Sequence, residues 1–227
     1  MRISYFILLF AFVSAKAVAQ QTETRQVGSF EAIKAQEGVD VYLKKGDKES
    51  ARIEVTGTDL GNVLTEITGS TLKIHLRDQN LIGRKTIKVY VTYVKLKRIS
   101  ASSAANVFSD GPIKSDNFDV NISSAASVEV SIEAESVIID ASSAGNAVIE
   151  GKTKSLEVEV SSAGDIDAYR LESETVHVRT SSAGSAKVNA SKELEAHASS
   201  GGSIRYRGNP TKTNLDSSSG GSVKKTS

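Results

Sequence analysis

The sequence predicts an all-β protein: a parallel β-helix, or solenoid, of about seven rungs, preceded by a strand-rich N-terminal portion. Three observations predict it. A Ser-Ser pair followed by two small residues recurs seven times, starting at Ser102, Ser123, Ser142, Ser161, Ser181, Ser199 and Ser218, at intervals of 21, 19, 19, 20, 18 and 19. Within each copy apolar and polar residues alternate, the signature of a strand with one buried face. Only Pro112 and Pro210 occur, and no convincing amphipathic helix of ten residues is present.

The first segment reads as an export signal. Met1-Arg2 is a short positive start, Ile3 to Val13 is apolar apart from Ser4, and Ala17-Val18-Ala19 is a small-x-small cleavage site before Gln20. The apolar run is too short to span a bilayer, so residues 1–19 read as a removed signal peptide and not as an anchor. No Cys follows the site, which excludes lipoprotein acylation, and no transmembrane segment is expected later. The protein is therefore expected to be exported: periplasmic, on the cell surface or secreted.

Composition excludes several classes. The 227 residues carry 28 Lys and Arg against 27 Asp and Glu; removing Arg2 and Lys16 leaves 26 against 27, about −1. That balance gives no pull toward nucleic acid or anionic lipid. The absence of Cys rules out disulfides, a thiolate nucleophile and Cys-ligated metals. There is no Trp.

Residues 20–97 form the N-terminal β-rich portion, continuous with the solenoid. Phe30, Ala32 and Ile33 mark a first strand, and Val39, Val41 and Leu43 alternate with Asp40, Tyr42 and Lys44. Gly46-Asp47 signals a turn. Ile53 and Val55, then Leu72, Ile74 and Leu76, then Ile87, Val89 and Val91 mark further strands. Gly57 to Leu64 and Asp78 to Arg84 read as loops. This portion is expected to continue the sheets and cap one end of the stack.

Residues 98–227 form the repeat solenoid. Aligned on the first Ser of each copy, the residues three before it are Ile99, Val120, Ile139, Val158, Val178, Ala196 and Leu215. Those five before it include Phe118, Val137, Leu156, Val176 and Leu194, and those five after it run from Val107 and Val128 to Ile204 and Val223. Each copy holds about two short strands, too little to bury a face alone, so the copies must stack, with a rise of about 4.8 Å per rung. In the Ser-Ser-Ala/Gly-Ala/Gly element, Gly145, Gly164 and Gly184 are expected to supply backbone angles closed to other residues. The Ser hydroxyls are expected to bond neighbouring rungs or the turn backbone. Seven near-identical Ser pairs read as structural, since a nucleophile needs one distinctive Ser beside a base.

These residues resemble a known family. The exported start, Phe30-Glu31-Ala32-Ile33, Gly38-Val39-Asp40-Val41-Tyr42-Leu43 with Gly46-Asp47, Leu72-Lys73-Ile74, Val89-Tyr90-Val91-Thr92 and the Ser-Ser-Ala-Gly array are similar to the head GIN domain family, labelled autotransporter adhesins and common in Bacteroidetes. The resemblance covers almost all of the mature chain and implies an exported β-helical protein without established catalytic residues. One departure is that an autotransporter barrel needs strands of about ten residues, and none is expected before Ser227.

Candidate chemistry is sparse. The register places His177 and His197 outward on adjacent rungs, with Glu157 and Glu195 around the first and Glu159 and Arg179 beside the second. These six residues are expected to form one polar patch over three rungs, either a solvated face with cross-rung pairs or a metal or ligand site. Asp165 and Asp167 flank Ile166, and Asp140 lies one rung from Glu159, the kind of acid pairing found in polysaccharide-cleaving enzymes. Phe108 and Tyr169 are the aromatics left outside the buried columns of the solenoid, too few for a sugar-cleaving cleft. No phosphate loop and no calcium nonapeptide repeat is present.

The sequence is thus read as an exported, non-catalytic binding or scaffolding protein of the cell envelope, adhesin-like, without catalytic residues or cofactor. The alternatives are a carbohydrate-active β-helix enzyme and a purely structural periplasmic protein. The expected partner class is a glycan or a protein at the cell surface, not nucleic acid. Self-association through the uncovered edge of the Val223 rung is a further expectation.

Overall fold

The computed structural model describes residues 20–78 and 85–226. The export-signal reading of residues 1–19 and the expected loop over 79–84 lie outside the described residues. Sixteen strands are present among the described residues, and the protein is a β-solenoid of about seven turns.

Five long strands carry the repeat: β9 (Asn106–Ile122), β10 (Ser127–Ala141), β11 (Asn146–Val160), β12 (Asp165–Thr180) and β13 (Ser185–Ala198). They pair in parallel in sequence order. In β9, β10 and β11 the buried phase slips once near the middle; in β12 it slips twice, around Leu171 and Ser173, and in β13 it is interrupted between Ala190 and Leu194 without slipping. In β10, Val128, Val130 and Ile132 are buried, and then Val137, Ile139 and Ala141. The hydrogen-bonded strand is thus continuous, but it has the two arms that the alternation predicts. A small residue permits one corner. Gly151 has φ +117°, and a Cβ there would stand 2.1 Å from the Ile132 carbonyl oxygen.

The apolar columns stack as aligned. Ile99, Val120, Ile139, Val158, Val178 and Ala196 pair in succession, and Leu215 ends the column half-exposed. The column also extends in the other direction, through Ile33 to Leu72. The last full rung comprises β14 (Ser203–Arg207) and β15 (Lys212–Ser217), which pair with β13; β16 (Ser222–Lys225) pairs with β14 and starts the next, and β15 is exposed along its whole length.

The N-terminal strands do not stack in chain order. They are β1 (Gln21–Gln26), β2 (Ala32–Ala35), β3 (Asp40–Lys45), β4 (Ser50–Thr56), β5 (Val63–Thr68), β6 (Thr71–Leu76), β7 (Thr86–Tyr93) and β8 (Arg98–Ala101). The β2–β3 turn of chain lies between β6–β7 on one side and β8–β9 on the other, all parallel. Beyond β6 and β7 the pairing becomes antiparallel, through β5, β4 and β1. The loop expected over Gly57–Leu64 is corrected here: Leu60–Asn62 is a short 3-10 turn and Val63 already begins β5. Val63 is buried while Glu66, Ile67 and Thr68 are exposed, so one buried residue is too weak a pattern to read as a strand.

The turns correct two further expectations. The second Ser and the following residue of each copy hold positive φ, from Ser103 (53°) and Ala104 (60°) to Ser219 (47°) and Gly220 (77°). In five of the seven copies the second of these is Ala, so non-glycine residues carry the left-handed backbone. Gly145, Gly164 and Gly184 are not in that region and serve close approach instead. A Cβ at Gly145 would stand 2.8 Å from the Ile122 carbonyl oxygen, and one at Gly184 would stand 2.7 Å from that of Val160. Positive φ in an L residue costs roughly 1 kcal/mol or more. Backbone bonds offset it. The fourth residue donates back to the first carbonyl, as in Gly164 N to Ser161 O at 2.9 Å, and the third donates to the next rung, as in Ala144 N to Ser162 O at 3.0 Å. The ladder between turns therefore runs through the backbone, not through hydroxyls. Among the described residues the one side-chain hydrogen bond to a turn Ser is from Gln36 Nε2 to Ser102 Oγ at 3.4 Å.

Candidate functional site

Strand alternation divides the outward residues of the arm before each turn into two columns. Two residues before the first Ser stand Ser100, Asn121, Asp140, Glu159, Arg179 and His197, and Lys34, two residues before Gln36, pairs with Ser100 and extends the column to seven successive rungs. Two residues further back stand Arg98, Asp119, Ile138, Glu157, His177 and Glu195.

The six residues of the expected patch occupy these columns: Glu157 pairs with His177 and His177 with Glu195, while Glu159 pairs with Arg179 and Arg179 with His197. Contacts divide them. Glu195 is clamped by two imidazoles: His177 Nδ1 lies 3.0 Å from Oε2 and His197 Nε2 lies 2.9 Å from Oε1. His197 Nδ1 reaches Asp216 Oδ2 at 3.4 Å on the last rung. The hydrogen bonds from His197 and then His177 hold the Glu195 carboxyl below its usual range. The same carboxylate, with Asp216 assisting, raises His197. Among the described residues no group of three or more His, Cys, Asp or Glu side chains is arranged to hold a metal ion.

Glu159, Arg179 and His197 face a different feature. A groove of about 840 Å³ runs along the solenoid axis between their column and the first Ser of each turn. It reaches from Lys34 to His197, six rung steps or roughly 29 Å. Glu157, His177 and Glu195 lie outside it. Asp140 and Glu159 are directly paired neighbours along one side of it. Burial first, then the Glu159, Glu157 and Asp119 charges, push the Asp140 carboxyl up. Asp167, the other acid considered, is bound by Lys187 at 3.0 Å.

One surface feature was not legible in the sequence. Tyr90, Tyr42 and Phe108 stack on neighbouring rungs with ring centroids 5.1 and 5.2 Å apart, and the Arg52 guanidinium lies 4.0 Å from the centre of the Tyr90 ring. The rings face one another and Arg52, so they are not an open platform for a sugar. The signal was the shared outward register of Tyr42 and Tyr90 with Phe108, visible only once β3 and β7 are aligned with β9.

Fold and groove together define a class: a β-solenoid with an open groove, lined by polar and small apolar residues, that crosses the rungs. Residues 29–210 match the family model described as "Putative auto-transporter adhesin, head GIN domain", and the chain belongs to that family. Solved structures share the fold. A protein titled "putative adhesin" from Bacteroides fragilis NCTC 9343 superposes with a TM-score of 0.83 at 20% identity, covering 92% of this chain and 98% of that one. One so titled from Parabacteroides merdae ATCC 43184 gives 0.74 at 21% identity, covering 92% and 96%. A "putative lipid binding protein" from Parabacteroides distasonis ATCC 8503 gives 0.68 at 16% identity, covering 92% and 97%. No curated protein matches the chain.

Proposed function

We propose that this chain is an exported, non-catalytic, adhesin-like protein that holds its target along the axial groove. The observation that carries this reading is a contrast in side-chain pairing. Elsewhere on the surface the rungs are tied by ion pairs, such as Lys114 to Glu133 at 2.8 Å, Lys192 to Glu174 at 2.7 Å and Arg98 to Asp119 at 2.6 Å. In the groove, Asn121, Asp140, Glu159 and Arg179 make no side-chain hydrogen bond or ion pair among the described residues, and two like charges stand side by side. Opposed like charges in a sheet are destabilising. A surface that gives up stability in this way is typical of a binding site.

The non-catalytic part is supported by the family description, which is that of an adhesin. Export is supported by the family and by residues 1–19. The mature N-terminus should be Gln20, which intact-mass measurement of the purified protein reads directly.

The test is capture on isolated envelopes of the producing cells. Wild-type protein should be retained, and the Asp140→Ala/Glu159→Ala/Arg179→Ala variant should be washed through. Equal retention of both overturns the groove as the binding surface.

A further inference from the structure

We propose that the groove takes an uncharged, hydroxyl-rich glycan chain lying along the solenoid axis. The inference rests on the reading of the groove as the binding surface and adds the chemical class of the target.

The charge of the groove excludes a strong polyanion or polycation. Lys34 stands at one end of the groove, Arg179 and His197 at the other and Asp140 and Glu159 between them, so the groove carries both signs. A charged polymer would meet repulsion at one part of the groove for each attraction at another. What the groove offers instead is a mixture of hydrogen-bonding types. Asp140 and Glu159 accept, Arg179 and Lys34 donate, and Asn121 and the Ser hydroxyls do both. A sugar hydroxyl also donates and accepts, so a neutral glycan can satisfy every one of these groups.

Geometry argues against an extended peptide. The rungs cross the groove, and their backbone groups are consumed in the parallel ladders. A peptide would find no free strand edge to pair with, so the main source of affinity in strand addition is absent. Recognition must come from side chains repeated at the rung spacing of about 4.8 Å. An extended β-linked pyranose chain is likewise a linear array of repeating hydroxyl-bearing units and can run along such a row. The row of first serines, Ser123, Ser142, Ser161, Ser181 and Ser199, lines one wall without any side-chain hydrogen bond of its own among the described residues.

The test is affinity electrophoresis of the mature protein in gels containing mannan, xylan, mixed-linkage glucan or galactan, beside gels containing polygalacturonate or dextran sulfate. We expect retardation in at least one neutral gel that added salt leaves unchanged. Asp140→Asn/Glu159→Gln should weaken it by about tenfold or more, since hydrogen bonds to charged groups are the strong ones. That variant relieves a repulsion and should fold. Lys152→Ala, outside the groove, should bind like wild type. Retardation only in the anionic gels, in none, or equally in the double variant overturns the proposal. Periodate and protease treatment of envelopes separates it from the reading beneath it. If groove-dependent capture survives periodate and is lost after protease, the groove stands and the glycan fails. If capture never depended on the groove, both fail.

Discussion

Gly202 leaves empty the space that the Thr180 hydroxyl occupies: a Cβ at 202 would stand 2.6 Å from Thr180 Oγ1 and 2.7 Å from its carbonyl oxygen. Thr180 is 2% exposed, and Oγ1 has no hydrogen-bond partner. It sits in a column otherwise held by Ala101, Ile122, Ala141, Val160 and Ala198. Where the fourth turn residue is Ala, at Ala105 and Ala126, the facing position of the preceding rung is itself Ala, at Ala35 and Ala101. Gly202→Ala should therefore cost about 1–3 kcal/mol through overpacking against backbone. Thr180→Val should stabilise by about 1 kcal/mol or more by removing an unsatisfied buried hydroxyl. Urea denaturation of both variants checks the pair.

The inward and outward registers make opposite predictions for neighbours. Val158 is 1% exposed in the stacked column, and Glu157 faces solvent. Val158→Asp should destabilise by more than about 4 kcal/mol, because it buries an unpaired charge. Glu157→Lys should stay within about 0.5 kcal/mol. Thermal unfolding followed by circular dichroism compares them.

Protonation of the last rungs is linked to stability through His197 and Glu195. His197 is raised in the folded state, so its contribution is complete below its unfolded pKa near 6.5 and is lost as pH rises through the higher folded value. Glu195 is lowered, so its contribution is present above its unfolded value near 4.5 and is lost as pH falls through the folded one. The cluster should be most stabilising between those two limits, in mildly acidic solution. NMR titration should place His197 above its ordinary value, and Glu195→Gln should return it. A His197 titration unchanged by Glu195→Gln would contradict the clamp.

The aromatic ladder should contribute through ring contact. Tyr42 lies between Tyr90 and Phe108, so Tyr42→Ala removes both stacks and should cost about 1–3 kcal/mol. Arg52→Ala removes the cation over Tyr90 and should cost about 0.5–1 kcal/mol. Chemical denaturation of the two single variants and the double variant would show whether they couple.

Much of the rung architecture was legible in the sequence. The Val120–Ile139–Val158–Val178 column and the pairing of Glu157 with His177 follow from two periods, two residues within a strand and about nineteen between copies. The strand β5 was not legible, because Val63 alone of its residues is buried. The turn chemistry was read on the wrong residues. Glycine at the fourth position suggests left-handed backbone there, while the left-handed residues are the second Ser and the third residue, Ala in five copies and Gly in two, held there by bonds to the next rung.

The sequence by itself determined the fold class, the rung count and which residues face inward, because side-chain alternation is a local property of any strand that has one wet face. Only the tertiary structure decided that β2 and β3 lie between β6–β7 and β8–β9, that Tyr42 joins Tyr90 to Phe108, and that Asp140, Glu159 and Arg179 line one groove while Glu195 is taken by two histidines. These depend on pairings between segments up to 66 residues apart. Such pairings are chosen by which arrangement closes the most apolar surface and satisfies the most backbone, a comparison that no single stretch of sequence contains.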